Sequence, residues 1–225
     1  MTSNWPILSV LIWLPIFGAM AVLAAGEHRA ALAKVLALIV AGLTFVLSIP
    51  LFTGFDTATA AMQFTELKPW IETFDINYSL GVDGFSVPLI LLTTFFGVLV
   101  VIAGWESITY KVHQYMAAFL VMEGLMIGVF SALDALLFYA FFEAMLIPMF
   151  LVIGMWGGPN KVYASIKFFL YTFLGSVFMQ IGQIYLYIQS GSWSILEWHQ
   201  FPMALGVQNW LFLGFLAAFS VKVPM

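Results

Sequence analysis

The chain contains no cysteine. That excludes a disulfide, a thiolate zinc centre and a cysteine-ligated iron–sulfur cluster within it. Charge is almost as scarce: Asp, Glu, Lys and Arg together make up 8% of its 225 residues. A soluble domain could not cover itself with so little charge while 63% of its residues are hydrophobic. His28, His113 and His199 fall in expected loops without metal-ligand spacing, so no metal site is expected. There is no basic patch interleaved with aromatics, which argues against a nucleic-acid partner. No phosphate-cradling glycine loop opens a helix after a strand, so no cofactor-binding or catalytic redox site is expected in this chain. The net charge of −4 says little, because the placement of the few charges matters more than their sum.

What the chain has instead is long apolar runs. Seven are long enough to span a bilayer as helices, at about 5–26, 35–53, 85–105, 115–133, 135–156, 168–189 and 208–225. The expected fold is an all-α polytopic membrane protein. No Lys or Arg precedes the first run, so it does not read as a cleaved signal. The longest polar stretch, 54–84, reads as an external loop, and within it 66–71 and the segment around Asn77 and Tyr78 could pair as a small surface hairpin. Basic residues in short loops set orientation. With the N-terminus outside, Arg29, Lys34, Lys111, Lys161 and Lys167 face the cytoplasm and Lys68 alone of the loop cations lies outside.

The run 135–158, ALLFYAFFEAMLIPMFLVIGMWGG, organises the rest. It carries one charge, Glu143, near its middle. A charge at the bilayer centre costs about 2.5–3.5 kcal/mol on insertion scales, and intramembrane acids mark ion or proton paths. Pro148 follows five residues later and has no N–H, so the carbonyl of Ala144 loses its helical partner. Two other ionisable groups fall inside apolar runs: Glu123 and Lys222, the latter just before a second helix breaker, Pro224. Lys222 could be a snorkelling anchor or a buried base. Two acids and a base at mid-depth are the parts of a proton relay, and Ser176, Gln180, Gln183 and Ser220 could hold water between them. A retinal protein with a Schiff-base lysine is disfavoured by the proline beside Lys222.

The three segments FFEAMLIPMFLVIGMWGG, KVYASIKFFLYTFLGS and AFSVKVPM, in this order and spacing, resemble the antiporter-like membrane subunit called subunit 4, or chain M, of respiratory complex I, the proton-pumping NADH:quinone oxidoreductase. The resemblance covers 119–225 in motif terms and the earlier part in hydropathy only. It implies the N-terminal part of a roughly fourteen-helix antiporter-like fold with inverted repeats. It implies a non-redox, proton-translocating subunit of an oxidoreductase, a translocase with NADH, flavin, iron–sulfur clusters and quinone on other subunits. Glu143 and Lys222 match the family's proton-pathway Glu–Lys pair. Glu106 lies near the family's less critical glutamate and, with Glu123, which the resemblance gives no fixed role, is a possible secondary pathway residue. The implied partners are the other membrane and peripheral subunits of complex I, the lipid bilayer and protons. The implied location is the bacterial inner membrane, with the mitochondrial inner membrane as the alternative. A subunit of a multi-subunit cation/proton antiporter is the competing function. The abrupt end at Met225 suggests a chain that naturally continues.

Overall fold

In a bilayer a backbone must satisfy its own hydrogen bonds, and an apolar run does so by becoming a helix. The computed structural model describes residues 5–223, and among these residues seven helices are long and apolar enough to cross a membrane. They contact one another as two units, 1–66 with 80–132 and 67–79 with 133–225.

The first unit is built on α1 (Ile7–Ala24), α2 (Ala30–Thr53), α3 (Ser86–Ser107) and α4 (Val112–Ser131). Helix α1 packs on α2 and α4, and α3 packs on α2 and α4. Small residues set these approaches. Ala33, Ala37 and Ala41 form a fully buried stripe one turn apart on α2. A Cβ on Gly124 of α4 would stand 2.5 Å from the Ile12 carbonyl oxygen, so only glycine fits there. Ser48 and Thr94 share a buried hydroxyl–hydroxyl bond of 2.9 Å between α2 and α3. Most large apolar side chains outside these contacts, such as Phe17, Val46 and Phe96, point outward, as expected where the solvent is lipid rather than water.

The polar stretch between α2 and α3 forms the hairpin, β1 (Gln63–Ile71) paired with β2 (Ile76–Val82), turning at Glu72–Phe74 with Asp75 left-handed. Among the described residues the fold is therefore helical apart from one two-stranded sheet. Glu66 of β1 accepts hydrogen bonds from Leu8 N–H (2.8 Å), Ser9 N–H (3.2 Å) and the Ser9 hydroxyl. The two N–H groups belong to the first turn of α1, whose N-cap residue, Pro6, supplies no side-chain cap. A carboxylate 57 residues away in the chain thus caps the helix.

The second unit holds α5 (Ala135–Ala144), α6 (Leu146–Trp156), α7 (Lys161–Ser190), the short α8 (Ile195–Trp198) and α9 (Leu205–Lys222). Helix α7 packs on α5, α6 and α9. Gly175 of α7 faces Val221 of α9 so closely that a Cβ would lie 2.9 Å from it. Asp134, 3% exposed, starts α5. Its carboxylate accepts from Leu136 N–H (2.9 Å), Leu137 N–H (3.0 Å) and Asn77 N–H of β2 (3.1 Å). One side chain therefore caps a helix and anchors a strand. Trp193 stacks on Tyr187 at 4.4 Å and donates to the Phe74 carbonyl (3.2 Å), which holds the hairpin turn.

Several helices run past the expected spans. Helix α2 begins at Ala30, so Lys34 lies on it rather than in a loop. Its ammonium donates to the Trp105 carbonyl, at the end of α3, which lets a charged residue sit inside a helical turn. Helix α7 starts at Lys161 and carries Lys167 in its second turn. Glu106 lies in the last turn of α3 and His113 in the first turn of α4, neither in a loop. Pro224 lies outside the described residues.

Candidate functional site

The span that carries Glu143 is two helices. Helix α5 ends at Ala144, Met145 interrupts, and α6 resumes at Leu146. Pro148 explains the position, because the missing N–H falls opposite Ala144 and weakens the turn between them. Glu143 is therefore the last acid before a helix end in mid-span, where backbone carbonyls lack partners.

Three helices bring side chains to this break. From α5 come Tyr139 and Glu143, one turn apart. From α7 comes Ser176, buried and near enough to the Glu143 carboxyl and the Tyr139 hydroxyl to act on both. Ser176 also donates to the Phe173 carbonyl (2.8 Å). A hydroxyl has one proton and two lone pairs, so while it donates to Phe173 it can only accept from its other neighbours. From α9 comes Lys222, near enough to Glu143 for each to act on the other electrostatically.

The acid and the base are neighbours without being a contact pair. Lys222 Nζ lies 4.0 Å from the centroid of the Phe142 ring and 3.4 Å from the Phe142 carbonyl oxygen. Glu143 Oε1 is buried and has no hydrogen-bond partner among the described residues. Gln180 Oε1 and Gln183 Oε1 on α7 are likewise buried and unpartnered. Buried polar atoms left this way are where ordered water is expected. Carboxyl, hydroxyl and amide oxygens with free lone pairs beside an ammonium donor can pass protons through intervening water.

Glu123 belongs to the first unit. It sits in the middle of α4, 4% exposed, with both carboxyl oxygens unpartnered among the described residues. It lines an apolar cavity of about 310 Å³ between α3 and α4, together with Thr93, Phe96, Gly97 and Phe119. Glu106 is exposed at the end of α3. Among the described residues no group of three or more His, Cys, Asp or Glu side chains is placed to hold a metal.

The sequence did not single out Tyr139 or Phe142, whereas Asp134 stands, as expected, at the tight turn into the helix of Glu143. Tyr139 could have been found from its spacing of four residues before Glu143. Phe142 could not, since nothing in a run of phenylalanines marks one of them as the neighbour of a distant lysine.

Residues 30–131 match the family described as "NADH-ubiquinone oxidoreductase chain 4, amino terminus", and residues 132–225 match "NADH:quinone oxidoreductase/Mrp antiporter, TM". The chain is 46% identical to NADH-quinone oxidoreductase subunit M of Rhodobacter capsulatus, over 97% of this chain and 46% of that protein. It is 40% identical to NADH-ubiquinone oxidoreductase chain 4 of Arabidopsis thaliana, over 97% of this chain and 44% of the relative. Its fold matches a chain in the structure of respiratory complex I from Thermus thermophilus with bound NADH, with a TM-score of 0.81 and 29% identity over 96% of this chain and 44% of that one. The chain thus spans about half the length of the curated relatives it matches. It is a multi-pass membrane protein. With two consecutive family matches covering 30–225 and relatives that align along nearly all of it, the chain belongs to the antiporter-like membrane subunits of NADH:quinone oxidoreductase, the subunit M or chain 4 family, and corresponds to their amino-terminal half.

Proposed function

We propose that this chain is part of a proton-translocating membrane subunit of NADH:quinone oxidoreductase, and that Glu143 and Lys222 hold and pass the proton. The observation that carries the reading is the meeting of Glu143, Tyr139, Ser176 and Lys222 at a helix interrupted in mid-span. The subunit is non-redox. NADH, flavin, iron–sulfur clusters and quinone belong to partner subunits, and energy arrives as conformational and electrostatic change. Glu123 is a secondary proton-holding group, and Glu106 is a surface acid near the mouth of α3. Pro148 is the helix break that frees backbone groups beside the acid. Relatives about twice as long support a fourteen-helix whole built as two inverted repeats.

The proposed home is a bacterial inner membrane with the N-terminus and residues 54–84 outside, on the strength of the five cations in or next to the other connections, against Lys68 alone in 54–84. The second reading, a subunit of a cation/proton antiporter, is favoured by the description of the match over 132–225, which names both classes. The deciding experiment replaces Glu143 by Gln in the membrane complex. Gln keeps the size and hydrogen bonding of the side chain but cannot exchange a proton. NADH-driven proton translocation should fall by roughly tenfold or more while the complex still assembles, and Glu143→Asp should retain part of it. Undiminished pumping in the Gln variant overturns the role. Sodium- or potassium-dependent proton exchange without NADH would move the chain to the antiporter reading.

A further inference from the structure

The resting place of the Lys222 ammonium is a second feature of the break, and it involves a residue with no ionisable group. Lys222 reaches back from the end of α9 and places Nζ over the Phe142 ring, 4.0 Å from its centroid, and 3.4 Å from the Phe142 carbonyl. The ring is 6% exposed. It stacks on Phe138 at 5.6 Å and meets the edge of Phe219 at 6.2 Å, so its face is fixed toward the lysine. The carbonyl belongs to the last turn of α5, where the helix dipole presents its negative end and favours a cation. One residue therefore offers the ammonium two attractions, a π face and a peptide oxygen, in a site with little water.

The carboxyl next in sequence is held elsewhere. Glu143 lies beside Ser176 of α7, and its Oε1 has no hydrogen-bond partner among the described residues. The titratable groups acting at this cluster are Glu143 and Tyr139 on α5 and Lys222 on α9; α7 supplies Ser176 and α6 supplies no charge to it. A lysine stem is long enough to choose between neighbouring residues, since it turns about four bonds. The choice open to Lys222 is the Phe142 face or the Glu143 carboxylate.

We propose that Phe142 is a positioning residue that parks the Lys222 ammonium by a cation–π contact and so holds it out of an ion pair with Glu143. The inference rests on the proton-relay reading of these two residues. Exchange of Lys222 between the ring and the carboxylate is then the step by which the cluster switches. With the lysine parked, Glu143 keeps its proton as a neutral carboxyl. With the lysine paired, Glu143 is a carboxylate, its proton having passed to a water molecule admitted to the cluster.

The test varies the charge on the ring face without changing its shape. Phenylalanine at 142 is replaced, in the assembled membrane complex, by analogues with one, two and three ring fluorines. Each fluorine weakens cation binding while leaving packing nearly intact, so failure to fold does not intervene. The readout is the infrared carboxylate signal of Glu143 paired to an ammonium, identified by its loss in Glu143→Gln and in Lys222→Met. The paired signal should rise stepwise with fluorine number, reaching about tenfold for the trifluoro ring, as expected for losing most of a desolvated cation–π contact. Phe142→Tyr, which keeps the π face, should leave the signal near its starting value. A flat fluorine series overturns the parking role. A flat series with Glu143→Gln still defective in pumping leaves the proton relay standing. A graded series with normal pumping in Glu143→Gln keeps the parking site and removes the relay.

Discussion

Two aspartates outside the spans have opposite electrostatic settings. Asp83 stands before α3 and accepts from Phe85 N–H (3.0 Å) and Ser86 N–H (2.7 Å). Partial burial pushes its carboxyl up, but the hydrogen bonds from Ser86 and Phe85 outweigh it, and the net effect is downward from 3.8. Its stabilising contribution is complete above that ordinary value and is lost as the pH falls through the lower folded value. Asp83→Ala should cost about 1 kcal/mol at neutral pH and little at strongly acid pH, measured by thermal unfolding in detergent. Asp134 goes the other way. Burial raises its carboxyl despite hydrogen bonds from Asn77, Leu137 and Leu136, and Asp75 adds to the rise. The carboxylate form is thus disfavoured by folding, so this group's contribution improves as the pH falls through the raised value. For Glu143 and Lys222 the test of coupling is a cycle on proton pumping with Glu143→Gln, Lys222→Met and both. If they act as a unit, the double variant is little worse than either single one. Full additivity shows two independent residues.

Elements are kept together by residues that leave room as much as by those that fill it. Gly97 on α3 faces Glu123 on α4, and a Cβ there would stand 2.6 Å from the carboxyl carbon. The glycine therefore makes space for a buried acid, which has an adjoining cavity into which it can turn. Gly97→Leu should fill that space and destabilise the helix pair by roughly 1–3 kcal/mol. Combining it with Glu123→Ala should recover most of the loss, because the clash partner is gone. Equal destabilisation with and without the Glu123 side chain would show that Gly97 serves another contact. At this scale the sequence was readable where one residue controls its own helix. Pro148 marked the break that separates α5 from α6. It was unreadable where a helix end is satisfied from elsewhere, as at α1, whose capping oxygen comes from Glu66.

The whole molecule has one property that the helix contacts do not supply, its orientation. The five cations Arg29, Lys34, Lys111, Lys161 and Lys167 against Lys68 call for residues 54–84 and 157–167 on opposite faces. Single cysteines at Thr57 and Asn160 can be introduced into a background that has none. In sealed inside-out vesicles an impermeant thiol reagent should modify the cysteine at 160 and spare the one at 57. Labelling of both, or of neither until the vesicles are opened, would place the two segments on one side and reverse the argument from charge.

The sequence by itself determined that the chain has about seven runs long and apolar enough to cross a membrane and which ionisable residues fall within them. The reason is that a bilayer imposes its constraint along the chain: each apolar run must satisfy its own backbone, whatever its neighbours do. The motifs around Glu143 and Lys222 also fixed the family. Tertiary structure alone decided what those residues touch. Lys222 and Phe142 are 80 residues apart, and Asp134 and Asn77 are 57 apart. Such pairs depend on how helices pack, and packing here rests on small residues such as Gly175 and Ala37 whose spacing does not name a partner. The expected carboxylate–ammonium pair was therefore the natural reading of two opposite charges on neighbouring helices. In the folded chain the ammonium lies instead against the aromatic face and carbonyl of Phe142, because α9 approaches α5 where that ring is held between Phe138 and Phe219.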